Sequence, residues 1–203
     1  MSIVDKVIGA VTPPESDEAR MKAREKARAA AGPGDWLAMV LDHHRQIESA
    51  FAQVKQTTDL AGRTRALRDL ATLLTGHSMA EEAALYPALA RANEKGHATK
   101  AYTEQSAAKL QLGLLEDLAP MSEEFNDKLE HIRGAVAHHV YEEEGNWFLD
   151  LKNSEQVDQA KLTLRYKEQF ERYMGKTLRP DAYDSSPPVS STDIEGREER
   201  PRG

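Results

Sequence analysis

Two stretches of the sequence each place a histidine four residues before a pair of glutamates. One reads HSMAEEAALYP from His77 and the other reads HVYEEEGNWFL from His139, with a large apolar residue at plus eight and an aromatic residue at plus nine in both. On an α-helix, residues four apart share one face, with about 5–6 Å between their β-carbons. An imidazole and a carboxylate placed in this way can bind one metal ion together. The pairs His77–Glu81 and His139–Glu143 are therefore candidate halves of a metal site.

Both pairs continue the apolar face of a predicted helix. The apolar stripes are formed by Leu67, Leu70 and Leu74 before His77, and by Leu129, Ile132 and Val136 before His139. A carboxylate that is buried on such a face without a partner costs several kcal/mol or takes up a proton. Two carboxylates directed into one core beside histidines therefore indicate a bound cation.

A third imidazole comes from an earlier helix. His44 lies seven residues after Leu37 and seven before Phe51, so it also faces inward and is a candidate ligand. His43 is rotated from it by about 100°, and we predict that it lies at the rim of the site or on the surface. Glu48 follows His44 at plus four, but this copy lacks the second glutamate and the aromatic residue, so we do not count it as a repeat.

Other residues of the two motifs receive structural assignments. Three glutamates fall off the inward stripe, and we expect them to be solvated or to support the ligands from behind: Glu82, Glu142 and Glu144. Three aromatic residues are expected to pack in the core: Tyr86, Trp147 and Phe148. His131 is expected to be exposed.

The elements that must position these residues are helices, because no strand pattern competes with the helical periodicity. The chain has 203 residues with only 6% aromatic residues, and alanine, leucine, glutamate, lysine and arginine dominate it, a mixture typical of helices. Four amphipathic segments cover about residues 35–58, 64–91, 98–118 and 123–151. Because short loops join them, they predict an all-α, up-down-up-down four-helix bundle with extra N-terminal helices and a C-terminal helix.

The periodicity and the proline- and glycine-containing breaks divide the chain into four parts. These are an N-terminal helical extension at 1–32, the bundle at 33–151, an additional helix at 152–176 and a tail at 177–203. We expect the tail to be disordered, since it is polar and rich in proline and serine. It contains IEGR, which resembles a protease recognition sequence and whose origin stays open.

The two flanking parts carry their own apolar residues. An apolar stripe between Ile3 and Val11 is expected to dock onto the bundle or a partner, with a membrane surface as the alternative. The alanine-rich segment after Ser16 is predicted to be an exposed helix. The C-terminal helix is predicted to begin at Ser154 and to pack onto the bundle or a second subunit. Its packing residues would be Val157, Leu164 and Tyr173.

Composition excludes several classes of function. The chain carries 27 basic and 34 acidic side chains, a net charge of −7, which disfavours binding to a nucleic-acid backbone. It has no cysteine, so disulfides, thiolate ligands and a cysteine nucleophile are excluded. No segment is long and apolar enough to cross a bilayer, and the N-terminus lacks the basic and apolar regions of a secretory signal. We therefore expect a cytoplasmic protein.

The order of His44, HSMAE, a third helix and HVYEE resembles the hemerythrin-like HHE cation-binding family. The resemblance covers residues from about 35 to 151, and the doubled HxxxEE motifs followed by LYP and WF make it fairly specific. It implies a four-helix bundle with a non-heme di-iron centre that is bridged by Glu81 and Glu143. It also implies that the protein handles dioxygen, nitric oxide, peroxide or iron.

One position departs from this family pattern. The family often carries a histidine on the third helix, followed by a lysine and a row of leucines. Here EQSAAKLQLGLLEDL keeps Lys109 and the leucines, but Gln105 stands in the place of the histidine. An amide oxygen is a weaker ligand for iron than an imidazole nitrogen, and His97 lies out of register with the leucines. The site is therefore expected to hold two iron ions asymmetrically, with one ion or another divalent metal as the alternative.

Three functions are compatible with these residues. The first is a non-heme iron protein that binds or senses dioxygen, nitric oxide or peroxide, or handles iron, in a stress response. The second is a peroxidase- or oxidase-like enzyme at the same centre, and the sequence identifies no catalytic proton donor for it. The third is a metal-stabilised interaction module, or a homo-oligomer, without catalysis. The absence of cysteine weakens a resemblance to the iron–sulfur repair branch of the family.

Overall fold

A computed structural model of the protein describes residues 15–92 and 95–177. The apolar stripe between Ile3 and Val11 and the predicted disordered tail from residue 178 lie outside these described residues. Within the described ranges the regular structure is helical, with no strand, as the sequence predicts. None of the described helices is long and apolar enough to cross a membrane.

Eight α-helices and two π-helical turns follow one another along the described chain. The α-helices are α1 Asp17–Ala30, α2 Trp36–Gln56, α3 Leu60–Ala80, α4 Tyr86–Arg91, α5 Lys95–Glu116, α6 Glu123–Glu142, α7 Phe148–Asn153 and α8 Gln159–Thr177. A first π turn, Glu81–Leu85, joins α3 to α4, and a second π turn, Glu143–Trp147, joins α6 to α7. Each continuous segment predicted around an HxxxEE motif is therefore interrupted by a wider turn that begins at the glutamate of the HxxxE pair.

Side-chain caps set where the long helices begin. Ser16, Asp35, Asp59 and Ser122 each accept a hydrogen bond from the backbone N–H three residues further on. Such caps satisfy one of the backbone donors that a helix leaves unpaired at its N-terminus. The cap at Asp59 starts α3 a turn earlier than the predicted boundary near residue 64. Gly34, with a φ of 71°, makes the turn that brings the chain to Asp35.

The bundle consists of four helical rods that run alternately up and down. These rods are α2, then α3 with α4, then α5, then α6 with α7. Helix α1 packs against α2, α6, α7 and the second π turn, and α8 packs against α2, α3 and the first π turn. The two flanking helices thus cover different sides of the bundle, and each of them contacts one of the π turns.

Two apolar clusters fill the bundle, one on each side of the polar residues. The first cluster includes Trp36, Leu41, Ala84, Ala101 and Trp147. The second cluster includes Ile47, Leu74, Leu112, Leu129 and Val136. Along their helices, His44, His77, Gln105 and His139 fall between members of one cluster and members of the other. The polar residues are therefore enclosed by hydrocarbon at both ends of the bundle.

Helix α8 differs from its prediction in both start and register. It begins at Gln159, because Asp158 accepts a hydrogen bond from the backbone N–H three residues further on, that of Lys161. Leu164 was predicted to pack onto the bundle or a second subunit, and it is 70% exposed, whereas Leu162 and Tyr166 are buried. The prediction that Leu164 packs onto the bundle is therefore wrong, since Leu162 and Tyr166, four apart, form the inward face; packing onto a second subunit stays a prediction.

Candidate metal centre

The structure brings the residues of both HxxxE pairs and His44 together in the core. Ligand atoms of His44, His77, Glu81 and Glu143 all lie within 4.8 Å of one another, and all four residues are buried. His139 reaches the same cluster, with its Nε2 atom 3.2 Å from Oε1 of Glu143. The side chains that share a helix face through their four-residue spacing therefore lie together at one point in the core.

Each of the two carboxylates presents one oxygen to either side of the cluster. On one side, Nε2 of His44 lies 3.8 Å from Oε1 of Glu81 and 3.3 Å from Oε2 of Glu143. On the other side, the hydroxyl of Tyr86 lies 3.1 Å from Oε2 of Glu81 and 2.9 Å from Oε1 of Glu143. Two carboxylates with this orientation can bridge two adjacent cation positions.

Several buried polar atoms at the centre have no hydrogen-bond partner within the described chain. They are Nε2 of His44, Oε1 of Glu81, Oε2 of Glu143 and Oε1 of Gln105. An unpaired polar atom in the core costs free energy, and an unpaired charge costs far more. An imidazole nitrogen and carboxylate oxygens are also donors that bind iron and other transition metals. The residues present therefore fit a metal ion.

Tyr86 was predicted to serve only as core packing, and the structure corrects this assignment. Its ring is fully buried, but its hydroxyl group lies within 3.1 Å of Nε2 of His139 and donates to Oε1 of Glu143 at 2.9 Å. The first π turn explains this position. In a π turn, the backbone hydrogen bonds join residues five apart. Tyr86, five residues after Glu81, therefore lies on the same face of the helix, one turn further along.

Gln105 lies where the family pattern places its histidine, at the metal cluster. It is only 4% exposed, and its amide group donates a hydrogen bond to Oε2 of Glu81. His97, the other candidate on this helix, instead has its ring stacked on Trp147 with 5.6 Å between ring centroids. The expectation that His97 does not replace the missing histidine agrees with this arrangement.

The outer nitrogen of each of two candidate ligands meets a carboxylate. Nδ1 of His44 lies 2.8 Å from Glu144, and Nδ1 of His139 lies 2.8 Å from Glu104. Arg24, on α1, in turn donates to both oxygens of Glu144 at 3.0–3.1 Å. Such outer partners fix which nitrogen carries the proton, so both imidazoles present Nε2 to the cluster. Of the two alternatives stated for Glu144, solvation and support from behind, the structure favours the second.

His43 was predicted to lie at the rim or on the surface, and this prediction is wrong. The residue is 9% exposed because α8 covers it. Its ring stacks on Phe170 with 3.8 Å between centroids, and its Nδ1 lies 2.8 Å from the hydroxyl of Tyr166. The same hydroxyl lies 3.3 Å from Nδ1 of His77. Sequence reasoning had no means of knowing which helix lies over this face.

Without a metal, protons supply part of the positive charge that the cluster needs. Burial and the neighbouring charge of Glu143 raise the pKa of Glu81 to about 7. Burial opposes protonation of His139, but Glu143 and Glu104 outweigh it and raise the pKa of His139 to about 10. The same balance holds at His44, where three glutamates raise the pKa well above its usual value. By contrast, burial lowers the pKa of His77, and the charge of His44 lowers it further.

The pKa of Glu143 moves in the opposite direction to that of Glu81. Burial opposes its ionisation, but the charges of His139 and His44 and their hydrogen bonds lower its pKa well below the usual range. One of the two central carboxylates is therefore ionised at neutral pH, whereas the other titrates near neutrality. Both must be ionised to bind a cation, so metal binding releases protons.

The remaining charged residues lie away from the centre. Glu82 forms a salt bridge with Lys109, and Glu142 forms one with Lys100. Glu104, His138 and Glu142 form a second, half-buried group whose ligand atoms lie close together, but Lys100 already neutralises its carboxylates. His131 is exposed, as predicted.

Three residues at the centre were not assigned roles there from sequence. Tyr166 and Glu104 belong to helices whose inward face is not determined by the HxxxE motifs. The motifs therefore did not indicate that these two residues reach the centre. Arg24 lies in a basic, alanine-rich helix that reads as solvent-exposed. Its position between the buried residues Ala23 and Ala27 was the available indication, since an arginine beside small residues can reach across to a neighbouring helix.

Comparisons with known proteins agree with this geometry. A family described as hemerythrin HHE cation binding domain matches residues 37–149. A curated protein named DNA nickase, from Nostoc sp. (strain PCC 7120 / SAG 25.82 / UTEX 2576), is 29% identical over 119 residues, which make up 57% of this chain and 34% of that protein. The alignment thus spans about a third of the relative. No solved structure gives a significant match.

Proposed function

The chain belongs to the hemerythrin HHE cation binding domain family, and on this premise we propose that it is a non-heme iron protein. It binds or senses dioxygen, nitric oxide or peroxide, and this serves a stress response or the handling of iron. Iron held by imidazole and carboxylate ligands with an open position binds such molecules and exchanges electrons with them.

The ligand atoms support two adjacent iron positions that would bind their ions with unequal affinity. His44, His77, Glu81 and Glu143 would hold the first ion, since their ligand atoms all lie within 4.8 Å of one another. The second ion would have His139 as its only imidazole, with Tyr86 and Gln105 as its remaining neighbours. Because an amide is a weaker ligand than an imidazole, the second ion is expected to dissociate first.

A small cavity beside the second position supports a small ligand. It has a volume of about 20 Å³ and lies between His77, Gln105 and His139, with apolar walls that include Ile47 and Val136. A cavity of roughly 10–15 Å³ holds one water molecule, so this one suits a molecule of two heavy atoms. Its volume leaves no room for a larger substrate.

The observation that carries the proposal is the set of unpaired buried atoms on His44, Glu81 and Glu143. The test is metal quantitation of the purified chain, with optical spectra in air, without air, and after addition of nitric oxide or peroxide. We expect two irons per chain and a spectrum that changes on addition of dioxygen, nitric oxide or peroxide.

Alternative results would separate the remaining possibilities. A single ion, or a divalent metal other than iron, would contradict the two-iron arrangement. If iron is retained but its spectrum does not respond to dioxygen, nitric oxide or peroxide, the result would favour the interaction module, whose stability depends on the metal. A colourless, metal-free protein from iron-replete cells would overturn the proposal.

A second candidate, a peroxide-consuming redox enzyme, gains support from Tyr86. A buried phenol 2.9 Å from Glu143 can supply a proton at the centre. Burial and the charges of Glu143 and Glu81 raise its pKa well above the usual value, so the proton stays on the phenol at neutral pH. This is the proton donor that the sequence alone did not identify.

Replacing Tyr86 by phenylalanine tests this candidate. If the phenol donates a proton, Tyr86→Phe should lower the rate of peroxide consumption by about 10²-fold or more. The control is Tyr102→Phe, since the Tyr102 hydroxyl donates to the backbone carbonyl of Glu82 and not to the cluster. Equal peroxide turnover in wild type and Tyr86→Phe would exclude the phenol as the donor.

DNA is suggested only by the name of the Nostoc relative, and we do not propose a DNA-related function for this chain. Its net charge of −7 disfavours contact with a phosphate backbone. We therefore expect no shift of duplex DNA in a gel at physiological salt. A salt-sensitive shift would contradict the expectation.

A further inference from the structure

Helix α8 lies outside the residues that match the family, and it covers one face of the metal cluster. It contacts α2, α3 and the first π turn. Two of its residues, Leu162 and Tyr166, are buried, and a third, Phe170, stacks on His43. The appended helix therefore forms part of the wall of the cluster rather than lying apart from it.

Within this helix, Tyr166 is the residue whose polar group reaches the cluster. Its side chain is fully buried, and its hydroxyl oxygen lies 3.3 Å from Nδ1 of His77 and 2.8 Å from Nδ1 of His43. A hydroxyl can donate one hydrogen bond and accept others. Both imidazoles can therefore be satisfied at once by this single group.

Metal binding determines the direction of these hydrogen bonds. His77 directs Nε2 at Glu81, 3.3 Å away, so a metal ligated by Nε2 leaves the proton on Nδ1. That N–H donates to the oxygen of Tyr166, whose own O–H then donates to Nδ1 of His43. The hydrogen bonds run outward from the cluster in one direction.

We propose that Tyr166 is a positioning residue for the metal centre, which fixes the ring orientation and proton position of His77. The proposal rests on the function proposed above. Tyr166 thus provides an outer partner for Nδ1 of His77. Glu144 is the corresponding partner of His44, and Glu104 is that of His139. The three candidate imidazole ligands thus receive their outer partners from three different helical segments.

The phenol differs from the other two outer partners in its charge. Glu144 and Glu104 are carboxylates and increase the basicity of the imidazole they contact, whereas a neutral phenol only orients it. His77 should therefore be the least basic of the three imidazoles. Replacing Tyr166 should affect metal retention through geometry rather than through charge.

The test compares Tyr166→Phe with the wild-type full chain. Phenylalanine keeps the ring in the core but removes the hydroxyl, so the fold is preserved and His77 loses its outer partner. Loaded with Fe²⁺ in the absence of oxygen, the variant should lose iron to a chelator about 10- to 100-fold more readily. In the Zn²⁺-loaded protein with isotopically labelled histidine, the NMR signal of the Nδ1 proton of His77 should shift or exchange rapidly. The corresponding signals of His44 and His139 should be unchanged.

Thr163→Val provides a matched control on the same helix. Thr163 accepts a hydrogen bond from the backbone of Trp36 at 3.1 Å and touches none of the three imidazoles. This variant loosens α8 without changing the partner of His77. We expect wild-type iron retention and an unchanged His77 signal.

Three outcomes would contradict the inference. If Thr163→Val releases iron as readily as Tyr166→Phe, Tyr166 acts only by docking the helix. If wild type retains metal and Tyr166→Phe matches it in both readouts, Tyr166 does not position His77, and the proposed function stands. If wild type retains neither Fe²⁺ nor Zn²⁺, the proposed function and this inference fail together.

Discussion

The two HxxxEE segments agree in sequence and backbone, but their side chains meet different neighbours. Each contains a histidine, a glutamate at plus four and a π turn that begins at that glutamate. The glutamate at plus five, however, pairs with Lys109 in the first segment and with His44 in the second. A repeated motif therefore fixes the ligands but not the residues that support them.

The aromatic residue at plus nine shows a second difference. Tyr86 in the first segment brings a hydroxyl to the carboxylates, whereas Phe148 in the second has none and packs on Trp36 with 5.5 Å between centroids. The imidazoles differ too, since the pKa of His77 is lowered and that of His139 is raised. The centre is therefore asymmetric although its two halves are built alike.

The largest expected difference concerns the two central carboxylates in the metal-free protein. Glu143→Gln should lower the free energy of unfolding by about 3–5 kcal/mol, since it removes the buried carboxylate that both charged imidazoles, His139 and His44, face. Glu81→Gln should cost much less at pH 6, where Glu81 is largely protonated. Urea denaturation of both variants at pH 6 measures this, and equal losses would show that the two carboxylates are equivalent.

A smaller effect should separate the two glutamates at plus five. Glu144→Gln removes the charged partner of His44 and should lower the affinity for Fe²⁺ about 10- to 100-fold. Glu82→Gln is the matched control, because the Glu82 carboxylate bonds with Lys109 and not with a candidate ligand. Chelator competition without oxygen compares them. Similar affinities in the two variants would remove the structural distinction drawn between these glutamates.

Gln105→His should make the two iron positions more alike. An imidazole in place of the amide gives the second position another strong ligand. We expect the second ion to dissociate at least about tenfold more slowly, equivalent to ~1.4 kcal/mol. Metal content after dialysis against a chelator is the measurement. Unchanged retention would weaken the placement of residue 105 at the second position.

A further expected effect is a pH dependence of stability that belongs to the second segment. The pKa of His139 is raised to about 10 in the fold, so its contribution to stability is fully present below its ordinary value near 6.5 and is lost as pH rises through 10. Between pH 7 and 9 the metal-free protein should lose up to ~1.4 kcal/mol per pH unit for this proton.

Two variants show which histidine causes that pH dependence. Thermal unfolding at pH 7 and 9 should show a reduced dependence in His139→Gln. His77→Gln should keep it, because His77 is already neutral at pH 7. A slope that survives in His139→Gln would have to come from His44, whose pKa is raised as well.

Much of the fold could be predicted from the sequence, because its signals are local. Capping residues such as Asp35 and Ser122 and the apolar stripes determine where the helices begin and which face is buried. The stripes also directed His44, His77 and His139 to one core. These inferences need only the helical period and the rule that buried charges require partners.

The sequence could not predict what depends on the wider turns and on packing between distant segments. A constant rotation of 100° per residue put Glu144 off the inward face and gave Tyr86 no polar role. The π turns reduce the rotation per residue and bring both toward the cluster. The burial of His43 depends on α8, more than a hundred residues away in the chain, and the exposure of Leu164 depends on which face of α8 packs on the bundle.

The two π turns also restrict how these segments can vary in length. Each holds one residue more than an α-helical turn would need. Deleting one of the residues between Glu81 and Tyr86 would restore a regular helical turn and leave Tyr86 facing nearly as before, because the deletion removes the extra residue that the π turn accommodates. Substitutions at exposed positions leave that geometry intact. Among related chains, the spacing from histidine to aromatic residue should therefore be nine residues where the π turn is present and eight where the helix is regular.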